Sequence, residues 1–168
     1  MLKQKGFTLI ELVIVIVVIA ILAAVAAPKF IDISRDARIA VIDNLYSSVQ
    51  TAADQTYLKA ILVGVEADER SDIEINGTIV QAKYGYPEAH AESDEHDIID
   101  LLNISEDLMV CNGNNYPSNC TSGSSQVVIG YDLEDGEGCY VHYSEPNGTG
   151  APADGSNKYG LVKQTKGC

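Results

Sequence analysis

Gly6-Phe7-Thr8-Leu9-Ile10-Glu11-Leu12-Val13-Ile14-Val15-Ile16-Val17-Val18-Ile19-Ala20-Ile21-Leu22-Ala23-Ala24-Val25-Ala26-Ala27-Pro28 carries a single charge, Glu11, in an otherwise apolar run. Phe7 to Ala27 is 21 residues. At about 1.5 Å per helical residue the run is roughly 30 Å long, enough to cross the hydrocarbon core of a bilayer. The stretch therefore predicts a membrane stage. A carboxylate in such a segment costs about 2.5 to 3.5 kcal/mol on insertion scales, and charges of this kind persist where something pairs with them. Read as a membrane span, the segment offers Glu11 no partner. Lys3 and Lys5 precede the run, so the positive-inside rule places the short leader in the cytoplasm and the C-terminal part across the membrane.

Beyond Pro28 the helical pattern continues. Ile42, Leu45, Val49, Ala52, Thr56, Ala60 and Val63 recur at spacings of three and four and share one face. Asp36, Asp43, Asp54 and Lys59 fall off that stripe. One helix is expected from Phe7 to about Val63, apolar all round at first and amphipathic after, with Gly64 as its stop. Pro28 removes an amide donor and clashes with the preceding turn, which predicts a kink. The β-branched run Val13 to Ile19 forms a helix poorly without lipid or neighbour packing. Partial melting between about Ala20 and Pro28 is expected where that packing is loose.

The 168 residues, 46% hydrophobic, leave room for the membrane segment and one compact domain. The formal charge of −13 is uneven. Residues 1–63 hold six basic and five acidic side chains, and 64–168 hold five basic and nineteen acidic. So acidic an outer domain repels phosphate backbones, and nucleic acid is not an expected partner. Cys111, Cys120, Cys139 and Cys168 all lie in the last 58 residues, which predicts two disulfides in an oxidising compartment. Three pairings are open to four cysteines. Cys111 with Cys120 and Cys139 with Cys168 is favoured, because local loops need no crossing and the second pair pins the C-terminal end.

After Gly64 the pattern shortens. Asp72 to Ile75 and Thr78 to Gln81 flank Asn76-Gly77, a hairpin signal. Tyr84-Gly85-Tyr86-Pro87 reads as an aromatic turn. A helix from about Asp94 to Leu102, capped by Ser93, is expected to turn Ile98, Leu101 and Leu102 inward. Gln126 to Tyr131, Gly138 to Tyr143 and Lys158 to Lys163 read as three antiparallel strands. Asp135 to Gly138 is a turn between the first two, and Pro146 to Asn157 a longer loop. A sheet with one buried face needs a cover, and the long amphipathic helix is the one element that can supply it. The fold class is therefore α+β, a helical spine carrying a small antiparallel head.

No catalytic or cofactor-binding motif is present. His90, His96 and His142 are scattered without metal-ligand spacing, and no nucleophile elbow or phosphate loop occurs. No cofactor and no enzymatic activity are expected. Asp132 to Glu137 is rich in oxygen donors but lacks the full EF-hand pattern, so a solvated acidic turn is expected rather than a calcium site. The four Asn-x-Ser/Thr tripeptides at Asn76, Asn103, Asn119 and Asn147 read as turn chemistry.

The leader ending in Gly6, followed by Phe7-Thr8-Leu9-Ile10-Glu11, resembles the class III signal of type IV pilins. The resemblance implies that a prepilin peptidase cuts after Gly6 and that the new amine of Phe7 is methylated. It also implies that Glu11 pairs with the amine of a neighbouring subunit in the filament. On this basis 1–6 is leader peptide, 7–28 the transmembrane and assembly helix, 29–63 the amphipathic helix half and 64–168 the head. The implied fold is the pilin fold, with Cys139 and Cys168 bounding a C-terminal D-region. Tyr84-Gly85-Tyr86-Pro87 after a hairpin is similar to pilins of the mannose-sensitive haemagglutinin (MSHA) type. The implied partners are other pilin subunits in a homopolymer, the peptidase and pilus assembly machinery, the inner membrane before assembly, and a host or abiotic surface in adhesion and biofilm formation. The implied location is the inner membrane, then the extracellular pilus. A type II secretion pseudopilin shares the leader and helix, but such proteins typically carry a calcium-stabilised loop and lack the C-terminal disulfide. A membrane-anchored periplasmic binding module is the alternative of another class, and it would keep Met1 to Gly6.

Overall fold

The computed structural model describes residues 7–90, 96–112, 125–133, 137–148 and 151–168. The chain forms two compact units, one ending at Ala37 and the other beginning at Arg38. A single α-helix, α1 (Leu9–Val63), contributes to both.

In the first unit the described side chains of α1 are exposed, apart from the half-buried Ala26, and none is buried. In the second unit the expected stripe is turned inward. Ile42, Leu45, Val49, Ala52, Thr56 and Ala60 are buried, and Ala53 joins them. Val63 does not, being 56% exposed at the last turn. Its place on the stripe is overruled by the helix end. Gly64 (φ +78°) donates to the Ile61 carbonyl at 3.3 Å and the Val65 amide donates to the Ala60 carbonyl at 3.0 Å. This pair of bonds is the Schellman stop, which needs a left-handed residue and therefore favours glycine. The Thr56 hydroxyl, buried on the stripe, donates to the Ala52 carbonyl at 2.9 Å and so leaves no unsatisfied donor there.

Two antiparallel sheets complete the head. The first has strands β1 (Ser71–Ile75), β2 (Thr78–Lys83) and β3 (Tyr86–Pro87) in the order β1-β2-β3. The β1-β2 hairpin turns at Asn76-Gly77, both with positive φ (52° and 88°), as a tight two-residue loop demands. Tyr84-Gly85 is likewise a left-handed turn, but Tyr86-Pro87 is a short strand rather than part of it, pairing with Lys83 and Ala82. The second sheet has strands β4 (Met109–Asn112), β5 (Gln126–Asp132), β6 (Cys139–Ser144) and β7 (Gly160–Gln164) in the order β4-β5-β6-β7. The three expected strands are present within two residues of their limits, and β4 is an addition.

Of the helix expected over 94–102, the described residues form one 3-10 turn, Ile98–Leu101, while 94 and 95 lie outside the described residues. Its cap is Asp97 rather than Ser93, which lies outside the described residues. Asp97 Oδ1 accepts from the Ile99 amide at 2.7 Å, and Asp100 Oδ2 accepts from the Asp97 amide at 3.1 Å. His96, expected to be helical, is instead bridged to Val80 of β2. That pairing competes with helix propagation and limits the element to a turn. Ile98 is buried and Leu102 packs against the core, as expected, whereas Leu101 is only half-buried.

The core of the head joins Ile42, Leu45, Val49 and Ala53 of α1 to Val127 and Ile129 of β5, Val141 and Tyr143 of β6, and Ile98. Burial of each large aliphatic side chain here contributes about 1.5 to 3 kcal/mol. A smaller cluster sets Ala60 against Ile73 and Ala82. Buried charge ties the sheets together. Glu145, just past β6, accepts from Lys83 Nζ at 3.1 Å and from the Ala89 amide at 3.2 Å. The Tyr143 hydroxyl donates to the Pro87 carbonyl at 2.6 Å, and Arg70 pairs with the buried Glu88 at 2.9 Å.

A ladder of tyrosines runs through this region, with Tyr57 stacked on Tyr86, and Tyr159 against both Tyr86 and Tyr143. Burial raises the Tyr143 phenol well above its ordinary range, and burial followed by the charge of Asp54 raises Tyr159. The Tyr159 hydroxyl donates to Asp54 at 3.2 Å. The unfolded phenols ionise near pH 10 while the folded ones still hold their protons. This contribution to stability is whole below pH 10 and is lost as pH rises toward the folded values. The melting temperature is expected to fall above pH 10, with a shallower fall in Tyr143→Phe. Equal alkaline slopes in the two proteins would contradict this account.

Candidate functional site

The site is the start of α1. Thr8 is its N-cap, Leu9 its first helical residue and Glu11 its third. A helix start leaves amide donors without intrahelical partners, and Thr-x-x-Glu satisfies two of them reciprocally. The Thr8 Oγ1 accepts from the Glu11 amide at 3.3 Å, and Glu11 Oε2 accepts from the Thr8 amide at 2.8 Å. The Thr8 hydroxyl donates to the same oxygen at 2.8 Å. Glu11 thus has a local partner, contrary to the reading of the segment as offering none. The signal was in the sequence as Thr8-Leu9-Ile10-Glu11, but an apolar span draws attention to charge pairing and away from capping.

Both bonds land on one carboxylate oxygen, and Glu11 Oε1 accepts from no described residue. The carboxylate is held at the first turn, where the helix dipole favours negative charge, with one oxygen available to a further donor. Phe7 precedes the cap and is 90% exposed. Behind Glu11, Leu12 to Leu22 and Val25 present apolar surface on every side. A contiguous apolar surface of this extent marks a membrane or protein interaction.

The other expected site residues are distributed as follows. Gly6 lies outside the described residues. Pro28 lies within α1, whose helical assignment includes it. Cys139 and Cys168 are bonded, with Cα atoms 4.8 Å apart and a separation of 29 positions in sequence. Cys111 is disulfide-bonded, but the expected pairing with Cys120 falls outside the described residues because Cys120 does. Half of the acidic stretch considered for calcium, residues 134–136, also falls outside them.

The family comparison bears on this segment alone. Residues 1–27 match the prokaryotic N-terminal methylation motif. This motif is the signal of type IV pilins and pseudopilins, which are structural proteins processed by prepilin peptidase and assembled into multi-subunit fibres. No curated protein and no solved structure matches the chain. Leu9–Ala26 is long and apolar enough to cross a membrane, and together with the motif it fits a single-pass membrane-anchored protein. The long helix, antiparallel sheets and C-terminal disulfide are consistent with the pilin fold.

Proposed function

We propose that the chain is the structural subunit of a bacterial type IV pilus. It is cleaved after Gly6, methylated at Phe7, held in the inner membrane with its head outside, and polymerised through α1 into a surface fibre that serves adhesion and biofilm formation. The observation that carries this reading is an exposed apolar helix whose first turn fixes a carboxylate with one oxygen to spare, inside a methylation motif. Apolar side chains leaving lipid for a bundle of similar helices gain little hydrophobic free energy, because lipid tails are as apolar as leucine. Packing and the few polar contacts must then set register. Glu11 is placed to take the amine of Phe7 from a neighbouring subunit.

What favours a pilin over a pseudopilin is the Cys139–Cys168 bridge, since pseudopilins typically lack it. Within this reading, the Tyr84 to Pro87 segment supports the MSHA-type subclass. Pro28 serves as a bend or melting point in the fibre.

Mass spectrometry of the native N-terminus tests the proposal. The expected product begins at Phe7 and is heavier by one methyl group. A chain that still begins at Met1 would overturn the reading and favour the membrane-anchored binding module.

A further inference from the structure

Among the described residues each sheet of the head ends in strands whose outer edges pair with no further strand, and natural proteins guard such edges because they template pairing with another chain. Two of the four edges are poor templates or only partly described. β3 is two residues long and contains Pro87, which has no amide donor. β4 is followed in sequence by residues 113–124, which lie outside the described set. The remaining edges, β1 and β7, are five residues each.

Their charges are opposite. On and just before β1, Asp68, Glu69, Asp72 and Glu74 are all exposed. No described residue forms an ion pair with any of the four. Arg70, between them, is committed to the buried Glu88. Of the five basic residues in 64–168, the two outside the β7 region, Arg70 and Lys83, are tied to buried carboxylates. The other three are Lys158, Lys163 and Lys166, on and beside β7. Lys163 and Lys166 meet Asp43 and Glu137 in exposed pairs. Such pairs are worth at most about 1 kcal/mol and exchange readily for other partners. Val162, 56% exposed, adds an apolar contact in the middle of the basic edge.

We propose that the β7 edge of one subunit docks on the β1 edge of a second copy of this chain, Lys158, Lys163 and Lys166 facing Asp68, Glu69, Asp72 and Glu74. The occupant is a second copy because the chain itself supplies the complementary sign on an edge of the other sheet. Since each copy offers both edges once, the contact is heterologous. It repeats from subunit to subunit and gives an open fibre unless the rotation happens to close. The inference rests on the pilus reading and adds to it a second interface, between heads, beside the one made by α1. Because the charges are exposed, the contact weakens with salt over a screening length of about 8 to 10 Å.

The test is charge reversal in the full-length chain, read as fibre sheared from cells and as the melting temperature of detergent-solubilised subunit. Lys158→Glu with Lys166→Glu, or Asp72→Lys with Glu74→Lys, is expected to lower fibre yield at least tenfold while leaving the subunit's melting temperature unchanged. All four changes in one chain should restore the yield to within about twofold of the original. If the double lysine variant melts early, Lys158→Glu alone is used, with a smaller but measurable loss expected. Fibre yield indifferent to the reversals, or no rescue from subunits that melt normally, would overturn the docking proposal and leave the pilus reading standing. A native chain that is never processed and makes no fibre would overturn both.

Discussion

Glu11→Ala is expected to insert in the membrane normally and to reduce surface fibre by at least a hundredfold. In the assembled state proposed here, the carboxylate and the Phe7 amine of a neighbouring subunit form an ion pair shielded from water. Removing one partner of such a pair leaves the other uncompensated, at a cost of about 3 to 5 kcal/mol. At about 1.4 kcal/mol per factor of ten, that is a hundredfold or more in the assembly constant. Insertion should not suffer, because the change deletes a charge that opposes it. The capping box supplies the necessary control. Glu11 also accepts from the Thr8 amide and hydroxyl, so Glu11→Ala loses a helix cap as well, typically about 1 kcal/mol. Thr8→Ala loses the cap and keeps the charge. Quantifying sheared fibre from both variants separates the two roles. Register by charge predicts a severe loss at Glu11 and a mild one at Thr8. Equal losses would mean that the carboxylate acts on its own helix, and unimpaired fibre in Glu11→Ala would remove the register role altogether.

The parts of this molecule that sequence reveals are those with a period or a local chemical requirement. The stripe from Ile42 to Ala60 was legible because burial on one face of a helix repeats every three to four residues. Asn76-Gly77 was legible because a two-residue hairpin needs positive φ at both positions, and these residues accept it. Gly64 was legible for the same reason at a helix end. Val63 could not be read correctly, since periodicity says which face a residue occupies and nothing about where the packing partner ends. The helix over 94–102 was misjudged because its composition suits a capped helix, while the deciding term is the bridge between His96 and Val80, a contact between residues 16 apart in sequence. β4 pairs Met109–Asn112 with residues of β5 15 to 21 positions away, and four residues carry too little alternation to announce a strand. Tyr86-Pro87 is a strand only because β2 lies beside it. At the site itself, Glu11 stood out as the one charge in an apolar span, whereas Thr8 was legible only to someone looking for a helix start. Glu145 was not legible at all. Its importance comes from burial and from Lys83 and Ala89, more than fifty residues away in sequence.

Replacing Cys139 and Cys168 together by alanine is expected to lower the stability of the head by about 3 to 4 kcal/mol, the chain-entropy value for a bridge enclosing a loop of this length. Against a total of roughly 5 to 15 kcal/mol for a domain, this is a large share. At about 2 to 4 °C per kcal/mol for a unit of this size, the melting temperature should drop by roughly 10 °C. The bridge acts where other restraint is thin. It joins the start of β6 to the end of the chain across the long loop 145–159, in which regular structure is absent among the described residues. Among the described strands β7 pairs with β6 alone, as the last strand of its sheet, and is otherwise restrained by the packing of Leu161 and the exposed Lys163–Asp43 pair. Without the bridge, β7 and the loop should open before the rest of the head. Limited proteolysis of the detergent-solubilised chain should then cut within 145–159 in the double variant well before it cuts the original. Reductant is not an equivalent experiment, because Cys111 is also in a disulfide and would be released at the same time. A melting temperature within about 2 °C of the original, with an unchanged cleavage pattern, would show that β6-β7 pairing and the packing of Leu161 suffice to hold this edge. The β7 edge would then remain available for docking after the bridge is gone. A drop of the expected size would instead make the docking contact depend on the bridge, because Lys158, Lys163 and Lys166 all lie between Cys139 and Cys168, in the loop, on β7 and just after it.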